Sequence, residues 1–284
     1  MIPDDLRQTV HDNARAALAE DIGDGDLTAD LIDADAVNGA TVVAREACIL
    51  AGQHWFDEVF RQLDETIIID WYVADGENAE PDDIICKLVG PTRAIVSGER
   101  SALNFLQTLS ATATQTRRYV DAIAGTSARI LDTRKTLPGL RLAQKHAVLC
   151  GGGHNHRIGL FDAILIKENH VSSAGSIAAA LERAQSAHPD VLIEIEVESI
   201  DELNQALDAG AGRILLDNFS VEDVQRAVDI NANYGIVSAE LEVSGNVTLE
   251  TIRSFAETGV DYISVGALTK HVQAIDLSML LRIS

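Results

Sequence analysis

The residues of this chain that could do chemistry gather in one stretch. From Arg129 to Lys167 there are seven basic residues (Arg129, Arg134, Lys135, Arg141, Lys145, Arg157, Lys167) against two acidic ones, Asp132 and Asp162. The whole chain has a formal net charge of -22, so this is a cationic island in an acidic protein. Such an island suits a small, highly charged anion better than a long polyanion, and the rest of the surface repels nucleic acid and anionic membrane. Arg134 and Arg157 offer planar forked donors that match carboxylate and phosphate oxygens, and Lys135 and Lys167 add point charges. With His156 they make a cationic wall. His154 and His156, two residues apart, could share a metal, but no third ligand follows nearby, which argues against zinc. A set of clustered surface charges is the competing reading.

The elements around these residues show how they could be brought together. Short apolar runs recur at Arg129–Leu131, Ala163–Ile166, Leu192–Val197, Arg213–Leu216, Glu240–Val243 and Tyr262–Val265. Helical patterns such as SIDELNQALDAG and SVEDVQRAVDIN separate them. Ser199–Glu202 and Ser220–Asp223 are helix-start signatures, and Gly210 and Gly259 suit helix stops. Repeated strand–helix units imply parallel strands with right-handed crossovers, and six without an internal switch suggest a barrel, complete or not. No GxGxxG follows a strand, and Gly151-Gly152-Gly153 does not either, so a dinucleotide fingerprint is missing.

Active sites of parallel barrels lie at the C-terminal strand ends. Here those ends carry Asp132-Thr133-Arg134-Lys135, Lys167-Glu168-Asn169-His170, Glu196, Asp217-Asn218, Ser244-Gly245-Asn246 and Gly266. Alternation places Glu194, Glu196 and Glu198 on one face, where carboxylates need a cation, a lysine or water. Lys167 shares parity with Leu165 and could supply that charge. Glu194 and Glu198 read as a structural Lys–Glu pair or as solvated groups; Glu196 and Asp217, at strand ends, read as metal-linked. Ser244, Gly245, Asn246, Gly266 and Ala267 are candidates for a phosphate cradle, with glycine allowing close backbone approach and a helix opening after Gly266. Tight turns before helices fit those residues equally well.

The first half differs. VNGATVVAREACILAG and TIIIDWYVADGENAEPDDIICKLVGPTRAIVSG read as strands and turns, HWFDEVFRQLD as an amphipathic helix, and ERSALNFLQTLSATATQTRRYVDAIAG as one long helix. The expected fold is α/β: an N-terminal α+β open sandwich domain over 1–112, then an incomplete, six- to seven-stranded parallel α/β barrel over 113–270, with 271–284 free to rejoin the first domain. Cys48, Cys86 and Cys150 are too few and too far apart for a disulfide framework or a compact zinc site, and read as small buried thiols. There is no apolar run of spanning length and the start lacks a signal-peptide layout, so a cytoplasmic location is expected. The acidic excess fits a salt-adapted source or simple solubility.

The segment DTRKTLPGLRLAQKHAVLCGGGHNHRIGLFDAILIKENH resembles the central block of quinolinate phosphoribosyltransferases, and EDIGDGDLT, GERSALN, EIEVE, LLDNF, EVSGN and VDYISVGALTKH match in order along essentially the whole chain. The resemblance implies transfer of a phosphoribosyl group from phosphoribosyl pyrophosphate (PRPP) to quinolinate with loss of carbon dioxide, giving nicotinate mononucleotide in NAD biosynthesis. It implies that Arg134, His156, Arg157 and Lys167 hold quinolinate, with Arg100 reaching in from a partner subunit. Lys135 would contact substrate or phosphate. Glu196 and Asp217 would hold the ribose hydroxyls and Mg2+, directly or through water, and Ser244–Asn246 with Gly266–Ala267 would hold phosphate. Lys135, Lys167, Glu196 and Asp217 are the expected catalytic groups, in a homodimer or higher oligomer with shared sites. One departure is visible: family members usually read SGIAT where this chain has Ser110-Ala111-Thr112-Ala113-Thr114, which puts local packing in question. The alternatives are a nicotinate-type specificity, an aldolase-type barrel with a Schiff base at Lys167, and a binding homologue that lost catalysis.

Overall fold

The computed structural model describes residues 4–235 and 238–282; of the C-terminal segment, 283 and 284 lie outside the described residues. Contacts divide the chain into two units: Met1–Arg117 with Thr136–Gly152 and Leu268–Ser284, and Arg118–Lys135 with Gly153–Ala267.

The first unit is built on an antiparallel sheet. Its elements are α1 (Asp4–Ile22), a 3-10 turn (Ala29–Leu31), β1 (Val37–Ala44), β2 (Cys48–Ile49), α2 (Gln53–Leu63), β3 (Ile68–Trp71), β4 (Asn78–Ala79), β5 (Ile84–Pro91), α3 (Thr92–Ala122, whose last residues count with the second unit), α4 (Arg141–Cys150) and, at the chain end, β12 (Leu277–Arg282). The sheet order is β12-β1-β5-β3, and β2 pairs separately with β4. The apolar stripe of α2 (Trp55, Phe56, Val59, Phe60) and Leu103, Leu106 and Leu109 of α3 are buried in one core with Val42, Ile85 and Leu88 of the sheet.

The long helix starts earlier than the sequence suggested. TRAIVSG is helical, not strand or turn, because β5 stops at Pro91, which has no N–H to extend a ladder. The Thr92 N–H then donates to Ala36 O at 2.9 Å, and Ile95 falls on the same buried stripe as Ala102 and Leu106. Ala111, at the position of the missing glycine, is itself buried, and Ser110 Oγ accepts the Ala51 N–H at 3.0 Å.

The glycine triplet follows a helix, not a strand: it ends α4 and leads towards His156. A Cβ on Gly151 would lie 2.5 Å from Ala113 O and 2.5 Å from Thr116 Cβ on α3. The sequence keeps glycine there so that the end of α4 can touch the α3 backbone.

The second unit holds six parallel strands: β6 (Arg129–Leu131), β7 (Ala163–Ile166), β8 (Leu192–Val197), β9 (Arg213–Asp217), β10 (Glu240–Ser244) and β11 (Tyr262–Ser264), in the order β6-β11-β10-β9-β8-β7. This is the cyclic strand order of a barrel, with β6 after β11. Among the described residues β6 and β7 do not pair, and a single bridge from Leu131 to His154 occupies the free edge of β6. The helices are α5 (Glu168–Ala174), α6 (Ile177–Ala187), α7 (Ile200–Asp208), α8 (Val221–Ala232) and α9 (Ile252–Ala256), followed by α10 (Ala267–Lys270), which after its first residue counts with the first unit. Ser199 Oγ accepts from Glu202 N and Ser220 Oγ from Asp223 N, capping α7 and α8. Gly210 and Gly259 follow α7 and α9 at φ 74° and 90°, the left-handed stop for which glycine is suited.

Alternation gives the strands two chemically different faces. Ile166, Ile195, Val197, Ile214, Leu216, Leu241, Val243 and Ile263 are all buried, as are Leu203, Leu207, Val224, Ala227 and Ile252 of the surrounding helices. The opposite parity carries Leu165 and Lys167, Glu194 and Glu196, Arg213 and Asp217, Glu242 and Ser244, and Ser264. A side chain on Gly151 should force α3 and α4 apart, so Gly151→Ala is expected to lower unfolding stability by about 1–3 kcal/mol. Urea denaturation checks this, and a variant within about 0.5 kcal/mol of the parent would contradict the close approach.

Candidate active site

The polar strand face opens on a cavity of about 360 Å³ in the second unit. Thr133, Arg134 and Lys135 line it from the end of β6, His156 and Arg157 from the segment before β7, and Leu165 and Lys167 from β7. Glu196, Leu215, Asp217, Glu242, Ser244 and Ser264 complete it from the next four strands. The cavity therefore brings together Arg134, Lys135, His156, Arg157, Lys167, Glu196, Asp217 and Ser244 from the sequence reading. Gly245, Asn246, Gly266 and Ala267 do not line it. Arg100 lies exposed on α3, in the other unit.

Local structure fixes each group. Lys167 follows β7 as the cap of α5, and its N–H donates to His170 Nδ1 at 2.9 Å. Its ammonium pairs with Glu196 Oε2 across the strand gap, so the amine an aldolase-type Schiff base requires is engaged in a salt bridge. Asp217 Oδ1 accepts the Ser244 hydroxyl at 2.6 Å, and Oδ2 accepts Asn218 Nδ2 at 2.7 Å. Asn218 and Asn246 adopt left-handed φ of 58° and 50°, and Asn246 Nδ2 donates to Asn218 Oδ1 at 3.3 Å. Gly245 lies so close over Asn218 that a Cβ would come within 2.2 Å of its Oδ1. A Cβ on Gly266 would meet Lys135 Cδ at 3.1 Å, so that glycine makes room for the lysine stem. The loops expected to cradle phosphate are thus knitted to Asp217 and Lys135.

Asp132 is fully buried, and its Oδ1 accepts the His156 N–H at 2.9 Å. The Arg157 N–H donates to His156 Nδ1 at 2.7 Å, so the ring proton sits on Nε2, 2.9 Å from Glu194 Oε2. Both ring nitrogens of His156 are engaged within the protein. The Arg157 guanidinium donates to Ala163 O at 3.2 Å. Burial and then the neighbouring Arg134 guanidinium lower Arg157 from its ordinary value. Two like charges held together and partly desolvated favour an anion between them.

Beneath the cavity is a charge network the sequence reading missed. Glu194 and Glu242 are 1% and 0% exposed. Glu194 was expected to pair with a lysine or with solvent; its partners are His156 and Arg213. The Arg213 guanidinium lies 3.6 Å from Glu194 Oε1 and 3.7 Å from Glu242 Oε2, over the Tyr262 ring at 3.9 Å. Glu242 also faces His156 Nε2 at 3.5 Å and accepts the Ser264 hydroxyl. Burial raises both carboxyls, and the charge of Glu194 raises Glu242 further. His156, Glu194 and Glu242 bring ligand-type atoms together, but Arg213 already supplies the positive charge there. The signal was present in the parity of Glu242 with Ser244 and of Arg213 with Asp217. Glu198 is exposed, near Glu168 and Glu196.

A partly closed ring of parallel strands, with cationic side chains and two carboxylates at its strand ends, defines an α/β-barrel enzyme that binds a small polyanion. Residues 26–110 match the model of the quinolinate phosphoribosyl transferase N-terminal domain and residues 112–280 that of the C-terminal domain. The chain belongs to this family. It is 42% identical over 261 residues to the probable nicotinate-nucleotide pyrophosphorylase [carboxylating] of Bacillus subtilis, covering 92% of this chain and 89% of that one. It is 40% identical to the Mycobacterium leprae nicotinate-nucleotide pyrophosphorylase [carboxylating], covering 98% and 99%. The solved nicotinate-nucleotide pyrophosphorylase of Francisella tularensis is 48% identical with a TM-score of 0.94, covering 99% and 98% of the two chains.

Removing Arg213 would leave two buried carboxylates with one cationic partner fewer. Arg213→Ala is expected to cost about 3–5 kcal/mol of stability, whereas Arg226→Ala, at the surface pair with Asp223, should cost less than about 1 kcal/mol. Comparable losses in chemical denaturation would contradict the network.

Proposed function

We infer that this chain transfers the phosphoribosyl group of PRPP to quinolinate and decarboxylates the product, giving nicotinate mononucleotide, carbon dioxide and pyrophosphate for NAD biosynthesis. The observation that carries this reading is the convergence of Arg134, Lys135, Arg157 and Lys167 on one cavity of a chain with net charge -22. Quinolinate is a dianion, and choosing it over nicotinate requires cationic contacts beyond those one carboxylate needs.

The chemistry needs positioning and electrostatics more than proton transfer. Arg134, Arg157 and Lys167 bind the two quinolinate carboxylates and aim the ring nitrogen at the anomeric carbon. His156, tied through Nε2 to Glu194 and through Nδ1 to the Arg157 N–H, orients Arg157. Pyrophosphate leaves as the ring nitrogen attacks, and Glu196 and Asp217 sit against the positive charge that develops on the ribose. The pyridinium nitrogen then stabilises the carbanion formed when the adjacent carboxylate departs as carbon dioxide, and a proton taken from water converts that carbanion to the C–H of nicotinate mononucleotide. Lys135 and the 244–246 and 266–267 loops hold phosphate.

Glu196 and Asp217 offer hard carboxylate oxygens at neighbouring strand ends, and each Asp217 oxygen accepts a single described hydrogen bond. Asp217, with Glu196 beside it and paired to Lys167, would hold Mg2+ carried by the diphosphate. Magnesium there supplies neutralisation of the departing charge. The protein works in the cytoplasm as a homodimer, or a higher assembly of dimers, in which Arg100 of one subunit completes the site of the other. Its three cysteines are free thiols, which suits a reducing compartment.

With PRPP and Mg2+, the protein is expected to make nicotinate mononucleotide from quinolinate, with release of carbon dioxide, and not from nicotinate; product from neither would overturn the reading. Lys167→Met should lower kcat/KM by roughly 10–10²-fold, the loss of a charge-assisted contact. In subunit mixing, Arg100→Ala and Arg157→Ala proteins should regain part of the activity together. No recovery in proven heterodimers would contradict the shared site.

A further inference from the structure

Three ligand-type side chains that this reaction does not use meet in the first unit. His146 and Cys150 stand four residues apart on α4 and so share a face of the helix. Asp75 reaches them from the turn between β3 and β4. His146 Nε2 lies 2.9 Å from Asp75 Oδ2 and 3.5 Å from Cys150 Sγ, and all three ligand atoms lie within 4.8 Å of one another. One ring nitrogen therefore faces a carboxylate and a thiol together.

These distances suit a tetrahedral ion. With Zn–S of about 2.3 Å and Zn–N of about 2.1 Å, two ligands at the tetrahedral angle stand roughly 3.6 Å apart, close to the Cys150–His146 separation. The Asp75–His146 pair would need to open by about 0.5 Å.

The surroundings are those of a built site. Asp75 is held by a reciprocal pair with Gln53: its Oδ1 accepts the Gln53 N–H at 3.2 Å and its own N–H donates to Gln53 Oε1 at 3.0 Å. Such outer contacts are what orient a metal ligand. Among the described residues no lysine or arginine pairs with Asp75, in contrast to Arg213 beside Glu194 and Glu242. The His146 and Asp75 side chains are 19% and 14% exposed. The His54 ring lies 6.0 Å from that of His146. Burial pushes the Cys150 thiol up to about 12, so without a cation it is no nucleophile; a bound zinc ion deprotonates a coordinating thiol.

We propose that Asp75, His146 and Cys150 form a zinc-binding site, with its fourth position open to water beside His54, that pins the β3–β4 turn to α4. Cys48 and Cys86, the other two thiols, are buried elsewhere in the core, and no cysteine lines the active-site cavity, so a metal–thiolate signal reports this site alone.

The test strips the full-length protein with a chelator and titrates it with Co2+, then Zn2+. One equivalent of Co2+ per chain should give a near-ultraviolet thiolate-to-cobalt charge-transfer band that Zn2+ abolishes, and Zn2+ should raise the melting temperature. The band should vanish in Cys150→Ser, and Co2+ affinity should fall at least tenfold in His146→Gln. If Cys150→Ser does not fold, Asp75→Asn and His146→Gln carry the comparison. No stoichiometric binding by the parent protein, or a band undiminished in Cys150→Ser, overturns the proposal.

Discussion

Every charge that the parallel strands send inside must be neutralised there, because an ion taken out of water without a partner costs several kcal/mol. Alternation makes this unavoidable: Glu194 with Glu196, Arg213 with Asp217, and Glu242 with Ser244 share the polar face. The residues earlier in each strand solve the problem among themselves. Arg213 stands between Glu194 and Glu242 and against the Tyr262 ring, and His156 closes the network from the segment before β7. The residues at the strand ends do not balance. Lys167 pairs with Glu196, while burial and then the neighbouring Arg134 guanidinium lower Arg157. Four cationic side chains, Arg134, Lys135, Arg157 and Lys167, and two carboxylates, Glu196 and Asp217, thus line the cavity above a buried layer that neutralises itself.

The two layers are mechanically joined. Asp132 and Glu194 hold His156 at its backbone and its ring, and the next residue is Arg157. The buried network therefore fixes where a cavity-lining guanidinium begins. The apolar parity of the same strands lies buried with the helix faces, so a one-residue slip in any strand would exchange a charged side chain for an apolar one. Left-handed backbone at Asn218, Gly245 and Asn246 ties two strand ends into one surface beside Asp217.

Much of this was legible from the chain alone. All six parallel strands showed as short apolar runs, because their outward face is uniformly branched and aliphatic, and the polar groups at their ends followed from barrel geometry. The exchange between Glu194, Glu242 and Arg213 was not, since pairing across strands depends on register and depth, which a single strand's alternation does not give. The early start of α3 was hidden because TRAIVSG is rich in β-branched residues, and only the packing of Ile95 reveals its period. His146 and Cys150 are visible together on α4, but Asp75, 71 residues from His146, is brought to them only by the fold.

The most direct measurement is a crystal structure of the protein with quinolinate bound. Both carboxylates are expected in the cavity at the strand ends, in contact with Arg134, Arg157 and Lys167, with the ring nitrogen facing the side of Glu196 and Asp217. A dianion bound elsewhere, or seated there with one carboxylate free of any cationic contact, would contradict the account.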